Sequence, residues 1–167
     1  MKVGLQIVKG DATLPKFTTN DPAELRVIIH VCNNLNRWGK GFVVPLGDRY
    51  PAAKNIYLKS ASQNGYHELG SITYCQIDPT LMVVNMVAQK GISKDPLTGE
   101  MPIRYPALIE CLRKIRQIFN DEFKGKTVSI HMPKIGCGLA GGDWDVVSEI
   151  INAELVVHGY SCVVYVL

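Results

Sequence analysis

An apolar run and an amphipathic run of this chain are joined by the stretch Met132-Pro133-Lys134-Ile135-Gly136-Cys137-Gly138-Leu139-Ala140-Gly141-Gly142-Asp143-Trp144. Four glycines fall within the seven residues 136–142. Glycine adopts positive φ and lets another molecule approach the backbone closely. A glycine-rich loop that leads into a helix presents unpaired N–H groups and the positive end of the helix dipole, which together suit a phosphate group. We therefore predict that this loop binds a phosphate group, with a diphosphate as the favoured form.

The length and composition of the chain indicate an ordinary globular protein. With 167 residues, 47% hydrophobic and 20% charged, one domain spanning residues 1–167 is expected. The net charge of +3 comes without a run of lysines and arginines, so it does not by itself indicate a nucleic-acid surface. A small ligand that carries phosphate fits this charge as well as a polymer does.

The cysteines and the N-terminal residues favour a cytoplasmic protein. The five cysteines are odd in number and form no Cys-x-x-Cys pair, which is typical of reduced, buried thiols. Residues 1–5 are too short and too mixed for a signal peptide, and no apolar run approaches the roughly 20 residues that span a membrane. We expect no membrane partner and no cofactor. We also expect no metal site, because the histidines are scattered without ligand spacing: His30, His67, His131 and His158.

Apolar periodicity predicts strands that alternate with helices. The predicted strands are residues 3–8, 26–32, 69–77, 81–88, 127–132 and 161–167. The predicted helices are residues 42–48, a segment beginning at Pro51, residues 104–119, and a segment from an N-cap at Asp143 to His158-Gly159. This alternation predicts a three-layer α/β/α fold. A tight Asp-Pro turn at residues 78–80 would make two strands antiparallel neighbours, so the central sheet is expected to be mixed.

Three candidate ligand loops follow strands directly. They are residues 33–42, residues 89–90 and residues 136–142. Because ligands of such sheets bind beyond the carboxyl ends of the strands, we expect the three loops to share one rim. Spacing alone leaves residues 33–42 open between a simple strand-to-helix connection and a second ligand loop.

Two polar residues close to strands have alternative interpretations. Asp11 follows the first strand, where it either caps a turn or accepts a hydrogen bond from a ligand's amine. His30 lies inside the second strand, and we favour a hydrogen-bonded core histidine because no second metal ligand lies at a useful spacing.

Several of these segments resemble the macrodomain family. Lys9-Gly10-Asp11 is similar to the family's first-strand signature, and residues 33–42, ending in Gly39-Lys40-Gly41-Phe42, are similar to its first phosphate loop. Residues 133–139, with Asp143-Trp144, resemble its second phosphate loop. The resemblance covers nearly the whole chain, including the terminal Val164-Tyr165-Val166-Leu167.

One branch of that family gives the best match. The similarity extends through Arg49-Tyr50-Pro51 and resembles the branch that contains the yeast-type ADP-ribose-1″-phosphate phosphatase. The same branch includes terminal ADP-ribose glycohydrolases and the macrodomain antitoxins that remove ADP-ribose from DNA. The resemblance implies hydrolysis of an ADP-ribosyl linkage or of ADP-ribose-1″-phosphate. The implied partner is ADP-ribose, or ADP-ribosylated protein or nucleic acid as substrate, and the alternative is a non-catalytic ADP-ribose-binding module.

The resemblance also implies ligand contacts. Asp11 would accept from the adenine amino group, and Asn33 would lie near the distal ribose. Gly39, Gly41 and Phe42 would line the diphosphate and the distal sugar. The backbone N–H groups of the second loop would bind the diphosphate: Gly136, Cys137, Gly138, Leu139 and Ala140.

Catalysis depends mainly on Lys90. This residue matches a lysine that some relatives use at the distal ribose, where it either attacks C1″ or acts electrostatically; otherwise it is a solvated surface lysine. Ala140 stands where the glycohydrolase relatives have an aspartate, whereas the antitoxin-like relatives have a small residue there, so a route that uses only the lysine stays open. Asp143 is a weak catalytic candidate and is favoured as a helix N-cap. We expect the backbone N–H of Cys137, rather than its thiol, to be the useful group.

Overall fold

A computed structural model of the chain describes residues 4–167. Residue 3, the first residue of the predicted strand 3–8, lies outside this range. In chain order the described elements are β1 (Leu5–Lys9), β2 (Leu25–Asn33), α1 (Val43–Arg49), α2 (Pro51–Lys59), β3 (Ile72–Asp78), β4 (Leu81–Gln89), α3 (Tyr105–Glu122), β5 (Val128–Met132), α4 (Trp144–Ile151), a π-helical turn (Asn152–Val156) and β6 (Ser161–Val166).

The strands form one sheet in the order β1-β6-β5-β2-β4-β3. All neighbouring pairs are parallel except β3 and β4, which are antiparallel. The turn between those two strands is held by the N–H of Thr80, which donates to Oδ1 of Asp78 at 2.8 Å. The predicted α/β fold with a mixed sheet is therefore confirmed.

Strand β2 shows why the sheet is covered on both faces. Its side chains alternate, so that Val27 and Ile29 pack with α3 and α4 on one face while Ile28 packs with α1 and α2 on the other. All three are fully buried, which explains the continuous apolar run in the sequence. Within residues 4–167 no helix has the length and apolar character needed to cross a membrane.

The start of β3 and the end of the last helix differ from the prediction for physical reasons that the structure shows. Strand β3 begins at Ile72 rather than at residue 69, because Gly70 has a positive φ of 88° and turns the chain just before it. The last helix ends in the π-helical turn, in which the N–H of Val157 donates to the carbonyl of Asn152 at 2.9 Å. Gly159, with φ of 91°, then ends the segment at the predicted place.

A loop of residues 91–101 leaves and rejoins the sheet at one point. The N–H of Lys90 donates to the carbonyl of Pro102 at 2.8 Å, and the N–H of Arg104 donates to that of Ala88 at 2.8 Å. Ile103 in turn donates to the carbonyl of Ala140 at 3.1 Å. The end of β4 is thereby tied to the glycine loop 136–142.

Candidate functional site

Two adjoining cavities lie at the carboxyl ends of the parallel strands. The loop cavity, of about 290 Å³, lies between the connections that follow β2, β4 and β5. Its lining is His30, Val31, Lys40, Gly41, Phe42, Val43, Gln89, Pro133, Lys134, Ile135, Gly136, Gly138, Leu139 and Ala140. The three loops meet at one rim, as predicted.

The end cavity, of about 520 Å³, lies where β1 and β6 end. Its lining is Gly10, Asp11, Ala12, Gly41, Phe42, Pro45, Pro133, Lys134, Tyr165, Val166 and Leu167. Four residues line both cavities, so the two form one extended cleft: Gly41, Phe42, Pro133 and Lys134.

The glycine loop closes on itself by backbone contacts. Gly136 and Gly141 have φ of 70° and 74°, a region that favours glycine. The N–H of Gly142 donates to the carbonyl of Gly136 at 2.7 Å. A Cβ on Gly142 would lie 2.4 Å from that carbonyl oxygen, so no larger residue fits there without a backbone shift.

Two loops that line the loop cavity carry backbone N–H groups without an acceptor in the described part of the chain. On the glycine-loop side, the N–H groups of Gly136, Gly138, Leu139 and Ala140 have no acceptor in the described part of the chain. Gly41, Phe42 and Val43, on the opposite side, also lack an N–H acceptor there. Such groups suit an anion with several oxygens, because each oxygen accepts more than one hydrogen bond.

Two lysines that the sequence analysis did not single out supply positive charge. Lys40 lines the loop cavity, and Lys134 lines both cavities. None of the described residues that line the loop cavity is an aspartate or a glutamate. Lys134 lies within the glycine-containing stretch 132–144, directly after Pro133, and this position was the sequence signal that could have identified it as a lining residue.

Asp11 caps a turn, and the other role that its sequence position left open, acceptance from a ligand's amine, stays a prediction. Its Oδ1 accepts from the N–H of Thr13 at 2.9 Å and from the Thr13 hydroxyl at 2.8 Å, which is a capped turn. These hydrogen bonds, with a smaller contribution from Arg49, lower the pKa of the carboxyl group against the effect of burial. The residue also lines the end cavity, where an ionised carboxylate is suited to accept from an amine.

Asn33 makes most of its side-chain hydrogen bonds within its own loop, and its Oδ1 also accepts from the hydroxyl of Tyr57 at 3.1 Å. Its Oδ1 accepts from the N–H groups of Leu35 and Arg37 at 3.0 and 3.1 Å, and its Nδ2 donates to the carbonyl of Arg37 at 2.8 Å. Neither Asn33 nor Gly39 lines either cavity. Their contacts with a ligand stay predictions, while the amide of Asn33 clearly shapes the loop that carries Gly41 and Phe42.

Cys137 differs from its neighbours in the glycine loop. Its N–H donates to the carbonyl of Lys134 at 3.3 Å, and its thiol donates to the carbonyl of Ile135 at 3.3 Å. Burial raises the pKa of the thiol, which disfavours the thiolate form. The predicted use of its N–H toward a ligand is therefore not visible in this conformation.

Lys90 lies at the rim rather than in the lining of the loop cavity. Its side chain is exposed, and its charge is one of the lesser causes, after hydrogen bonds from Leu97 and Thr98, that lower the pKa of Asp95. The preceding residue, Gln89, does line the loop cavity and donates from Nε2 to the carbonyl of Gly91 at 3.0 Å.

The other catalytic candidate has a structural role. Oδ1 of Asp143 accepts from the N–H of Asp145 at 2.9 Å, so the predicted N-cap of α4 is confirmed. The side chain is exposed and lines neither cavity. Ala140 is buried and brings no acid or base.

His30 is a core histidine that is also among the lining residues of the loop cavity. Its Nε2 donates to Oδ1 of Asn85, because Nδ2 of Asn85 already donates to the carbonyl of Ala53 and to the hydroxyl of Thr73. Burial lowers the pKa of His30 to about 4, so the ring is neutral at pH 7. The predicted hydrogen-bonded core histidine is confirmed.

Comparison with known proteins assigns the chain to a family. No family model matches it. A macrodomain protein from Streptomyces coelicolor is 31% identical, with a TM-score of 0.76 and coverage of 98% of this chain and 99% of that one. A protein of unknown function from Bacteroides thetaiotaomicron is 36% identical, with a TM-score of 0.83 and 99% of each chain covered.

A curated relative points to the same family. The ADP-ribose 1″-phosphate phosphatase of Candida albicans is 26% identical over 144 residues, which are 84% of this chain and 87% of that protein. The α/β sheet, the cleft at its carboxyl edge and these matches define one class of protein. The chain belongs to the macrodomain family.

Proposed function

We propose that this macrodomain binds ADP-ribose or an ADP-ribose derivative in the cleft formed by the loop and end cavities. The observation that carries the proposal is the set of unpaired N–H groups on both sides of the loop cavity. A diphosphate has many acceptor oxygens, and two glycine-bearing loops can satisfy them without a large positive charge.

The shape of the cleft fits an extended ligand with a charged middle. A diphosphate in the loop cavity would place one end of the ligand beside Gln89 and the other in the end cavity beside Asp11. The ionised carboxylate of Asp11 suits the adenine amino group. The distal ribose would then lie at the rim that carries Lys90.

We further propose hydrolysis of an ADP-ribosyl linkage or of ADP-ribose-1″-phosphate. The name of the Candida albicans relative supports the second substrate. The exposed ammonium of Lys90 suits electrostatic stabilisation of a leaving group. Gln89 and His30, which are among the lining residues, are candidates for orienting a water molecule.

A non-catalytic ADP-ribose-binding module is the second candidate. It is favoured by the lack of any carboxylate among the described lining residues of the loop cavity and by the position of Lys90 outside that lining. The two functions share the same ligand and differ only in whether a bond is broken.

A substrate panel separates the two functions. ADP-ribosylated protein, ADP-ribosylated DNA and ADP-ribose-1″-phosphate are incubated with the wild type, with Lys90→Ala and with Lys94→Ala, an exposed lysine of the adjacent loop as the matched control. Calorimetry with ADP-ribose is run on the same proteins.

We expect the wild type and Lys94→Ala to release product from at least one substrate, and Lys90→Ala to lose release while it still binds ADP-ribose. Binding without release from any substrate would replace the hydrolase by the binding module. Absence of ADP-ribose binding, together with binding of another nucleotide, would overturn the proposed ligand.

A further inference from the structure

Asn34, the residue directly after β2, is hydrogen-bonded on three sides. Its backbone N–H donates to the carbonyl of Gln89 at 2.9 Å, and its backbone carbonyl accepts from the N–H of His67 at 2.8 Å. Its side-chain Oδ1 accepts from the N–H of Gly91 at 2.9 Å. Asn34 lines neither the loop cavity nor the end cavity, so its contribution to the site comes through these bonds.

Two of the three bonds end on the immediate neighbours of Lys90. Gln89 precedes Lys90 and lines the loop cavity, and Gly91 follows it. The N–H of Lys90 itself donates to the carbonyl of Pro102 at 2.8 Å. The backbone is therefore held before, at and after Lys90, although the side chain of this lysine is exposed.

The sheet is irregular at the same place. In the parallel pair of β2 and β4, Cys32 is opposite Val87, but the next residue, Asn33, is opposite Gln89. Ala88 is thus an extra residue in β4, which is the pattern of a β-bulge. Because a bulge bends its strand and changes the direction of the side chains beside it, this one sets the course of the chain into Lys90.

Gly91 turns the chain directly after Lys90. Its φ is 77°, in the region that favours glycine. Nε2 of Gln89 donates to the carbonyl of Gly91 at 3.0 Å, while the N–H of Gly91 donates to Oδ1 of Asn34. Of these two bonds, the one to Asn34 is the bond that ties the turn to the loop 33–42.

The side chain of Asn34 has a narrower use than its backbone. The bonds to Gln89 and His67 are made by backbone atoms, so any residue other than proline could make the first and any residue the second. The bond to Gly91 is the one that needs a side-chain acceptor at this position. The amide therefore acts on the segment with Lys90 rather than on the pairing of β2 with β4.

We propose that Asn34 is a positioning residue for Lys90. Its amide oxygen fixes Gly91 and thereby holds the Lys90 side chain within reach of the distal ribose of a bound ADP-ribosyl group. The inference rests on the proposed function, because that function places the distal ribose at the rim with Lys90. A misplacement of about 1 Å can lower the rate of a reaction by about 100-fold, so a residue that touches no substrate can still control turnover.

Three variants isolate the amide oxygen. Asn34→Ala removes Oδ1 and keeps both backbone bonds, so it should remain folded. Asn34→Asp keeps an oxygen of the same reach, which can accept from the N–H of Gly91. Asn20→Ala, at an exposed position before β2, is the matched control. Calorimetry with ADP-ribose gives the affinity of each protein.

The first measurement does not require turnover. Each protein is saturated with ADP-ribose in the presence of cyanoborohydride. The aldehyde of the opened distal ribose condenses with a lysine amine with loss of water, and hydride from cyanoborohydride reduces the imine to a stable secondary amine. Peptide mass spectrometry compares the adduct at Lys90 with that at Lys94, an exposed lysine of the adjacent loop. We expect a preference for Lys90 in the wild type, Asn20→Ala and Asn34→Asp, and a ratio at least about fivefold lower in Asn34→Ala.

The second measurement is kinetic and uses a substrate of the panel above that the wild type hydrolyses. Asn34→Ala should lower kcat by about tenfold or more and leave KM within about twofold, because the side chain contacts no ligand. Asn34→Asp should restore most of kcat. A merely structural role would not give this split together with rescue by the aspartate.

Four outcomes overturn the inference. They are a wild type without preference for Lys90 over Lys94, an unchanged adduct ratio in Asn34→Ala, failure of Asn34→Asp to restore that ratio, and a loss of ADP-ribose affinity in Asn34→Ala as large as the loss of adduct. The proposed function is removed by separate results in the wild type. No binding of ADP-ribose removes the ligand, and no turnover of any substrate removes the hydrolysis, while the adduct ratio still decides whether Asn34 positions Lys90.

Discussion

The ammonium nitrogen of Lys134 lies 5.6 Å from the centroid of the Trp144 ring. Trp144 is the first residue of α4. Its ring contacts the ammonium group of Lys134, a residue that lines both the loop cavity and the end cavity. A cation over an indole face is stabilised by the ring quadrupole. Trp144 lines neither cavity itself, so it acts on a ligand only through Lys134.

The first prediction concerns this pair. Lys134→Gln should weaken ADP-ribose binding and reduce its dependence on salt, because one charge beside the diphosphate is lost. Trp144→Leu should weaken binding less, by about twofold to fivefold, which corresponds to a cation–π energy of about 0.5–1 kcal/mol. Calorimetry at low and high salt measures both effects, with Lys124→Gln as the control. Adenosine, which is neutral, should bind all the proteins equally; a parallel loss of adenosine affinity would indicate general damage to the cleft.

The second prediction concerns Gly138. A Cβ at this position meets no atom within 4 Å, and the backbone does not have positive φ, so Gly138→Ala should fold and bind ADP-ribose like the wild type. Gly138→Glu places a carboxylate among the unpaired N–H groups. Two like charges about 4 Å apart repel by about 4 kcal/mol at an effective dielectric constant of 20, so the affinity should fall by at least about 100-fold. Unchanged affinity in the Glu variant, with a melting temperature like that of the Ala variant, would show that the diphosphate binds elsewhere.

The third prediction concerns the closure of the glycine loop. Gly142→Ala should lower the free energy of unfolding by about 1–3 kcal/mol, because its Cβ would lie against the backbone carbonyl of Gly136. Gly39→Ala is the matched control, since a Cβ there meets nothing within 4 Å and the residue has no positive φ. Urea unfolding of the two variants measures the difference. Equal stabilities would mean that the loop relaxes at little cost.

The fourth prediction concerns pH. Burial lowers the pKa of His30 and of His131 to about 4 in the folded chain, below the unfolded value of 6.5. Between these values the unfolded state binds more protons, so the contribution of the neutral histidines is full above pH 6.5 and is lost as the pH falls toward 4. Each histidine should add a slope of up to about 1.4 kcal/mol per pH unit.

Urea unfolding at several values from pH 7 to pH 5 tests this slope. His30→Gln should flatten the pH dependence by about one histidine's share, even if it lowers stability at pH 7. A slope that is the same in the wild type and in His30→Gln would contradict the neutral, buried state.

The fold was largely predictable because its signals are local. The apolar run of β2 reflects burial on both faces. The capping carboxylate of Asp143 accepts a hydrogen bond from an N–H group only two residues later in the chain. The common rim also followed from the rule that the carboxyl ends of parallel strands share one edge.

The parts of the site that escaped prediction depend on contacts between distant residues. The bond between the N–H of Lys16 and the hydroxyl of Tyr165 joins positions 149 apart in the chain, and it holds the segment with Lys16 against β6, whose Tyr165 lines the end cavity. Asn33 was predicted to meet a ligand because asparagine both donates and accepts; in the structure its amide is bonded to backbone atoms of its own loop and to the hydroxyl of Tyr57. The spacing of residues in a sequence does not show whether a side-chain amide will bond to a ligand or to atoms of the protein itself.

The anchoring of residues 91–101 allows this loop to change in length without changing the glycine loop 136–142. Because the N–H of Lys90 donates to the carbonyl of Pro102, the two ends of the loop between them are fixed next to each other. The entropic cost of a longer loop grows only slowly with its length, by about 0.6 kcal/mol for each doubling. Insertions in this loop can change the surface around the cleft that a bulky substrate would meet. The glycine loop 136–142, which is hydrogen-bonded to Ile103 beside the loop ends, would keep its geometry. For the proposed function, this means that specificity for an attached macromolecule can diverge independently of recognition of the nucleotide.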